Sequence, residues 1–293
     1  MTAQHAFTLV NSRNGSLFFK VLSFEDYSHF DHLQRLNYYA IILITAGSGK
    51  LNADFAEYDI KANDVLFFAP YQPFMVTGSC PIEGIILYFH SDFYCIHNHQ
   101  KEVACNGILF NNIYESPVLS LNSTELERFL SNIDLIKEEM KAAELAQHES
   151  LVSYLKIILI HLTRVKVRQA AERKVSFSNE KEPFILQHLK DAIEQHYKTK
   201  HSASEYAELL NIAPNSLAKI TKTHLNKTLT YLISERIVIE AKRELYLTSK
   251  PVKEIAYELG FNDEYYFSRF FKTNADVSPQ LFRENVGFAK GEA

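Results

Sequence analysis

An internal repeat toward the C-terminal end constrains this chain more than any other feature. Glu205, Ala207 and Leu210 recur as Glu254, Ala256 and Leu259, an offset of 49 residues. Past the next turn the offset becomes 50: Leu217, Lys219 and Lys222 correspond to Phe267, Arg269 and Lys272, and Thr228 to Ser278. Each copy reads as a short helix with a small alanine at its centre, a tight turn, and a second, more basic helix. A small residue at that point lets two helices cross closely at a steep angle, as a helix-turn-helix requires to present its second helix to a groove. Two copies are too few for a solenoid. The pattern alone therefore leaves two readings, a pair of helix-turn-helix units or a small helical bundle.

The chain beyond Pro183 reads as helical throughout. Phe184, Leu186, Leu189, Ile193 and Tyr197 mark one amphipathic face. Ser202 with Glu205 caps a short helix to Leu210, Pro214 opens another to about Leu225, and Thr228 caps a longer one to about Leu247. Val252 to Leu259 is short and helical, and Gly260 suits the left-handed position that ends it. Asp263 caps a further helix to Asn274, and Ser278-Pro279 starts the last.

Charge is informative by placement and not by sum. The chain of 293 residues has a net charge of −4, and from Pro183 onward there are 15 Lys and Arg against 14 Asp and Glu. A net charge of −4 argues against a general nucleic-acid coat. The segment Pro214 to Lys227, however, carries Lys219, Lys222 and Lys227 and no acid, with Asn215 and Ser216 as short hydrogen-bonding groups near its start. In the second copy Arg269 and Lys272 are basic, while Tyr265, Tyr266, Phe270 and Phe271 supply aromatic bulk. Phe267 and Phe271 read as core. The helix between the copies spans about 20 residues, roughly 30 Å, against about 34 Å for one turn of B-DNA. That span predicts recognition helices in successive major grooves on one face of double-stranded DNA.

The first 115 residues read as strands. Tyr39 to Ile44 is an apolar run ended by the turn Ala46-Gly47-Ser48-Gly49, and β-like segments follow at Leu51–Phe55, Val65–Phe68 and Ile85–Phe89. Close spacing with intervening turn residues predicts a small barrel or sandwich. Asn122-Ser123-Thr124 with Glu125 is a helix N-cap signature, and Leu126, Phe129, Leu130, Ile133 and Ile136 follow at helical spacing. A second helix is expected over Glu149 to Arg168. Its stripe of Leu151, Leu155, Ile158, Leu159 and Leu162 suits pairing across a two-fold axis, with packing on its own barrel as the alternative. Residues 170 to 182 lose periodicity and read as a linker.

Composition excludes several classes. Hydrophobic content of 46% supplies buried cores. Three cysteines, Cys80, Cys95 and Cys105, with no C-x-x-C pair fit a reducing compartment better than a disulfide framework or a zinc cage. The start, Met1-Thr2-Ala3-Gln4-His5, has no basic cluster before an apolar core, and no apolar stretch is long enough to span a bilayer. A soluble, cytoplasmic protein without membrane attachment is expected. No Ser-His-Asp arrangement, P-loop or dinucleotide glycine motif occurs, so no catalytic residue and no cofactor are assigned. His97-Asn98-His99 has the local form of a metal pair but sits in a polar loop. With His29, His32 and His90 it offers no histidine pair with a suitably placed glutamate between strands, and no metal site is assigned.

The stretch Val252 to Lys272, VKEIAYELGFNDEYYFSRFFK, followed by Ser278-Pro279-Gln280-Leu281-Phe282-Arg283, resembles the second helix-turn-helix of AraC/XylS-type transcriptional regulators. The resemblance runs through roughly residues 184 to 286. By position, it places base-reading and phosphate-facing roles on Asn215, Ala218, Lys219 and Lys222 in the first unit. In the second it places them on Glu264, Tyr265, Ser268, Arg269 and Lys272. The first unit departs from the family pattern: Asn226 stands where a glycine is usual and Thr221 where an aromatic is usual, and Ala213 and Ala218 offer little to cap or hydrogen-bond with.

The resemblance also implies a cupin-like N-terminal β-barrel that senses a small ligand or mediates dimerisation, and a contact with RNA polymerase. The pattern around Ala46-Gly47-Ser48-Gly49 and Asn63-Asp64-Val65-Leu66-Phe67-Phe68-Ala69-Pro70 is similar to such a barrel. Pocket residues on this reading are Tyr38, Ile42, Phe68, Phe74 and Tyr88.

The expectation is an α+β chain. Residues 1–170 form the cupin-like regulatory or dimerisation domain, with helices at about 123–169. Residues 171–182 form a linker, and 183–293 an all-α domain with two helix-turn-helix units. A homodimer acting as a DNA-binding regulator, and not an enzyme, fits these features. Two alternatives remain: a barrel that only dimerises or contacts another protein, and a metal-dependent cupin enzyme fused to a DNA-binding domain.

Overall fold

The computed structural model describes residues 6–11, 15–30, 32–53, 56–78, 81–105, 107–176 and 184–286. Phe55, Cys80 and residues 177–183, which include the second half of the expected linker, lie outside them. The chain divides into two compact units, residues 1–112 with 116–171, and residues 113–115 with 172–293.

The first unit is built on two antiparallel sheets. β1 (Phe7–Val10), β2 (Leu17–Phe24), β3 (Tyr39–Ala46), β6 (Asp64–Phe68), β8 (Glu83–Phe89) and β9 (Val118–Ser120) form a six-stranded sheet in the order β1-β2-β8-β3-β6-β9. β4 (Ser48–Ala53), β5 (Ala56–Lys61) and β7 (Phe74–Thr77) form a second sheet in the order β5-β4-β7. The sheets stay separate, so the expected barrel is an open, two-sheet sandwich.

The larger sheet is buried on both faces. One face packs on the smaller sheet through Leu22, Ile42, Leu66, Phe68 and Ile86, which meet Phe74 of β7. The other lies under two helices, through Val21, Ile41, Phe67, Leu87 and Phe89. Burial on both faces explains why β3 is a continuous apolar run and not an alternating one. Gly47 (φ 85°) makes the tight turn out of β3, and a Cβ there would fall 2.3 Å from the Pro81 carbonyl oxygen. Pairing resumes at Ser48, earlier than the glycine-serine run suggests.

A short helix, α1 (Gln100–Val103), precedes the helical layer of α2 (Ser123–Ala142) and α3 (Gln147–Ser176). The Asn122 side chain accepts from the Glu125 amide, and Glu125 accepts from the Asn122 amide, a complete capping box. α3 continues to Ser176, through the first part of the stretch read as linker.

The stripe Leu151, Leu155, Ile158, Leu159 and Leu162 is at most 1% exposed and packs with Phe129, Ile133 and Ile136 against the unit's own sheet. This overturns its assignment as a dimer contact. The spacing located a buried face, and the sheet beneath it supplies the partner.

The second unit holds α4 (Phe184–His196), α5 (Ala203–Leu209), α6 (Pro214–Leu225), α7 (Leu229–Leu247), α8 (Val252–Glu258), α9 (Glu264–Ala275) and α10 (Pro279–Val286). α7 packs against α4, α5, α6, α8, α9 and α10. Its Leu232, Ile233, Ile237, Ala241 and Leu245 are buried, so one helix is the common spine of both repeats.

Candidate nucleic-acid interface

The repeat is visible down to single backbone bonds. In the first copy the Ile212 amide donates to the Ala207 carbonyl at 2.9 Å and the Asn211 amide to Glu208 at 3.0 Å. In the second, Phe261 donates to Ala256 at 2.9 Å and Gly260 to Tyr257 at 3.0 Å. Both are Schellman closures, with Asn211 (φ 53°) and Gly260 (φ 82°) in the left-handed position. Ala207 and Ala256 are at most 1% exposed at the helix crossings, as their size requires.

Asn226 (φ 55°) and Asp276 (φ 63°) occupy equivalent left-handed sites after α6 and α9. Asparagine and aspartate visit that region more readily than other side chains, which accounts for Asn226 in a glycine's place. Thr228 and Ser278 then cap the following helices, each hydroxyl accepting an amide three residues on.

α6 and α9 are the recognition helices by position. Leu217 and Thr221 bury the inner face of α6, and Phe267, Phe271 and Ala275 that of α9. Thr221 donates its hydroxyl to the Ala218 carbonyl at 2.9 Å and fills the site an aromatic was expected to occupy. α6 starts at Pro214 with no side-chain cap from Ala213, whereas Asp263 caps α9 by accepting from the Tyr265 and Tyr266 amides.

The expected contact residues share the outer faces of these two helices. Asn215, Ser216, Ala218, Lys219 and Lys222 are exposed on α6, as are Tyr265, Arg269 and Lys272 on α9; Glu264 and Ser268 are half-buried. Tyr265 is 78% exposed. Its neighbour Tyr266, absent from the expected contact residues, is also exposed, at 57%. The signal was available: adjacent helical positions lie about 100° apart, so Phe267 inward turns the preceding pair outward.

Lys227 behaves differently from the other lysines of its segment. It is 3% exposed, and its Nζ donates to the Ile113 carbonyl at 3.0 Å, so it leaves the basic face.

Eight cations of this unit form two contrasting sets. Arg236 pairs with Glu194 at 2.8 Å and Glu240 at 3.2 Å, Arg243 with Glu240 and Glu244 at 2.9 Å, and Lys250 with Glu258 at 2.6 Å. Arg283 donates to the Leu245 and Lys250 carbonyls. These groups knit α4, α7, α8 and α10 together. Burial works against the Glu240 carboxylate, but hydrogen bonds from Arg243 and Arg236 hold it below the usual carboxylate range. Lys219, Lys222, Arg269 and Lys272, in contrast, enter no ion pair among the described residues. Four positive charges outside any described ion pair thus stand on two helix faces related by one repeat, Lys222 donating only a long 3.5 Å bond to the Asn226 carbonyl, beside hydrogen-bonding Asn215, Ser216 and Tyr265. Such a surface suits phosphates and base edges.

Comparison with known proteins agrees with this geometry. Residues 206–285 match a helix-turn-helix domain model, and residues 15–94 match the model of the AraC-like ligand binding domain. The chain belongs to the AraC family of transcriptional regulators. It is 27% identical over 95 residues to the raffinose operon transcriptional regulatory protein RafR of Pediococcus pentosaceus, covering 32% of this chain and 34% of that protein. It is 20% identical over 245 residues to the transcriptional activator RhaS of Mannheimia succiniciproducens, covering 83% and 85%. The first relatives matched are covered over only about a sixth to three fifths of their own length. Among solved structures, apo ToxT from Vibrio cholerae aligns with 92% of this chain and 98% of its own, at 18% identity and a TM-score of 0.42.

The pocket candidates sit together at the inter-sheet core. Ile42, Phe68 and Phe74 are wholly buried there, Phe68 stacking on Phe74 at 3.8 Å. Tyr38 and Tyr88 lie half-buried at its edge, 5.0 Å apart. No group of three or more His, Cys, Asp or Glu fit to hold a metal occurs among the described residues. His99 is paired with Glu102 at 2.9 Å, and Cys105 is buried, its thiol pushed up to about 12 by desolvation. No described helix is long and apolar enough to cross a membrane.

Proposed function

We propose that this protein is a cytoplasmic, sequence-specific DNA-binding regulator, not an enzyme, whose α6 and α9 enter successive major grooves of double-stranded DNA. The observation that carries the reading is the placement of cations: Arg236, Arg243, Lys250 and Arg283 are engaged internally, whereas Lys219, Lys222, Arg269 and Lys272 enter no ion pair among the described residues and stand exposed on the outer faces of α6 and α9. α7, with 19 residues, is about 28 Å long, comparable with one turn of B-DNA. Asn215, Ser216, Tyr265, Ser268 and Arg269 are assigned to base edges, and Lys219, Lys222 and Lys272 to phosphates. Glu264 at the start of α9 suits an exposed cytosine amine, while Ala218 offers only its methyl.

Control is assigned to the N-terminal unit, through a small molecule or self-association. Dimerisation has to use a surface other than the buried leucine stripe of α3. RNA polymerase remains a proposed partner, in keeping with relatives named as activators. The dense packing of Ile42, Phe68 and Phe74 favours a second reading for the sandwich, in which it serves as a scaffold and the effector binds elsewhere.

Gel-shift titration of two variants tests the interface. Arg269→Ala is expected to weaken a cognate site by about 1–3 kcal/mol and to relax discrimination at one base pair. Lys222→Ala is expected to weaken all sequences alike and to lower the salt slope by about 1. Wild-type affinity in both would remove α6 and α9 from the interface.

A further inference from the structure

Outside the sandwich, a groove of about 590 Å³ lies between the start of α2 and the middle of α3. Its charged lining is one-sided. Arg128 comes from α2, and Arg164 and Arg168 from successive turns of α3. The single acid in the lining, Glu125, is already committed: one oxygen accepts the Asn122 amide and the other takes Arg168. Arg128 and Arg164 therefore face the groove with no acidic partner among the described residues. The N-terminal end of the 20-residue α2 adds positive potential through Thr124. Two unpaired guanidiniums held by neighbouring helices repel one another, and a bound anion removes that cost.

A second observation narrows the ligand. His161, one turn before Arg164, also lines the groove, and its Nε2 is shielded from solvent with no hydrogen-bond partner. A carboxylate or sulfate brings only acceptors. A phosphate brings acceptor oxygens for the guanidiniums and, in its monohydrogen form, an O–H for the imidazole nitrogen. Ile157 and Ile160 form an apolar wall, and the groove is larger than a bare phosphate requires.

We infer that the α2–α3 groove is a binding site for the phosphate group of a small phosphorylated molecule, held by Arg128, Arg164 and His161. The site is separate from the DNA-facing helices, and the inference does not depend on the DNA reading. Burial lowers the affinity of His161 for protons, and the hydrogen bond of its ring with the Glu125 backbone, together with the unpartnered Nε2, leaves Nε2 as the acceptor of the neutral imidazole.

Calorimetric titration of the full chain with inorganic phosphate, glucose 6-phosphate, sulfate and acetate, at matched ionic strength, tests this directly. Saturable binding of the two phosphates is expected, with sulfate and acetate weaker by about fivefold or more. Arg164→Gln and Arg128→Gln are each expected to weaken phosphate by about tenfold, and His161→Phe to abolish the preference over sulfate. Gel shifts of the same variants on DNA should match wild type, which also reports that they fold. Binding equal to that of sulfate, or unchanged in the Arg128→Gln/Arg164→Gln double variant, overturns the site. Reduced DNA affinity in variants whose thermal unfolding matches wild type would overturn it too, by assigning the groove to DNA. Phosphatidic acid vesicles provide the last arm: capture of vesicles without binding of soluble phosphates would make the ligand a lipid headgroup and refute the small-molecule assignment.

Discussion

At the residue scale, the DNA-binding unit sets apart side chains that hold it together from those left to face outward. Glu240 illustrates the first kind. It is nearly buried, yet Arg236 and Arg243 each donate to it, and Arg236 also stacks over Tyr197 at 3.9 Å. Its folded carboxyl stays ionised to lower pH than an unfolded glutamate. The stability it contributes is therefore complete above the ordinary carboxylate range, near pH 4.5, and is lost as pH falls through the depressed folded value. Urea midpoints between pH 7 and 3 should fall steeply for the native chain, and less steeply for Glu240→Gln, which starts from a lower midpoint at pH 7. Parallel curves would remove Glu240 from the acid transition. The spacing of Arg236, Glu240 and Arg243 along α7 is local and open to the sequence, whereas the contacts of Arg236 with Glu194 and Tyr197 join distant residues and are not.

Elements carry the next set of arguments. The repeat offsets located both helix-turn-helix units, and the Schellman closures explain why: the same turn must be made twice, so the same residue types recur. Gly260 and Asn211 occupy equivalent left-handed sites, but a Cβ at Gly260 would lie 2.0 Å from the Lys198 carbonyl oxygen. Gly260→Ala should cost about 1–3 kcal/mol through backbone strain alone, whereas Asn211→Gly should stay within about 1 kcal/mol of wild type. Thermal unfolding separates the two, and equal losses would mean the turns are not equivalent.

The α3 stripe shows where sequence reasoning went astray. Period and apolarity were read correctly, but a buried face looks the same whether a sheet or a second chain covers it. Leu155→Ala should accordingly cost about 2–5 kcal/mol in unfolding free energy and leave the sedimentation coefficient unchanged. A loss of self-association with no loss of stability would restore the dimer stripe. β5 went unread for a different reason. Its Glu57, Asp59 and Lys61 alternate outward, and so much charge on a small sheet masks the strand signal.

On the scale of the whole molecule, the sequence contained the order of the two units and the outward faces of α6 and α9, because repeats and helical periods are local properties. The closing of the sandwich, the pairing of Arg236 with Glu194 and the α2–α3 groove depend on residues distant in sequence, and only the fold brings them together. The central claim is that two equivalent helices, separated by α7, read DNA as a pair. Selection of bound sequences from a random duplex pool, followed by gel-shift titration at two salt concentrations, tests it most directly. The account predicts an enriched site with two half-elements one helical turn apart, bound with a steep salt dependence. Enrichment of a single short element, or of none, would contradict it.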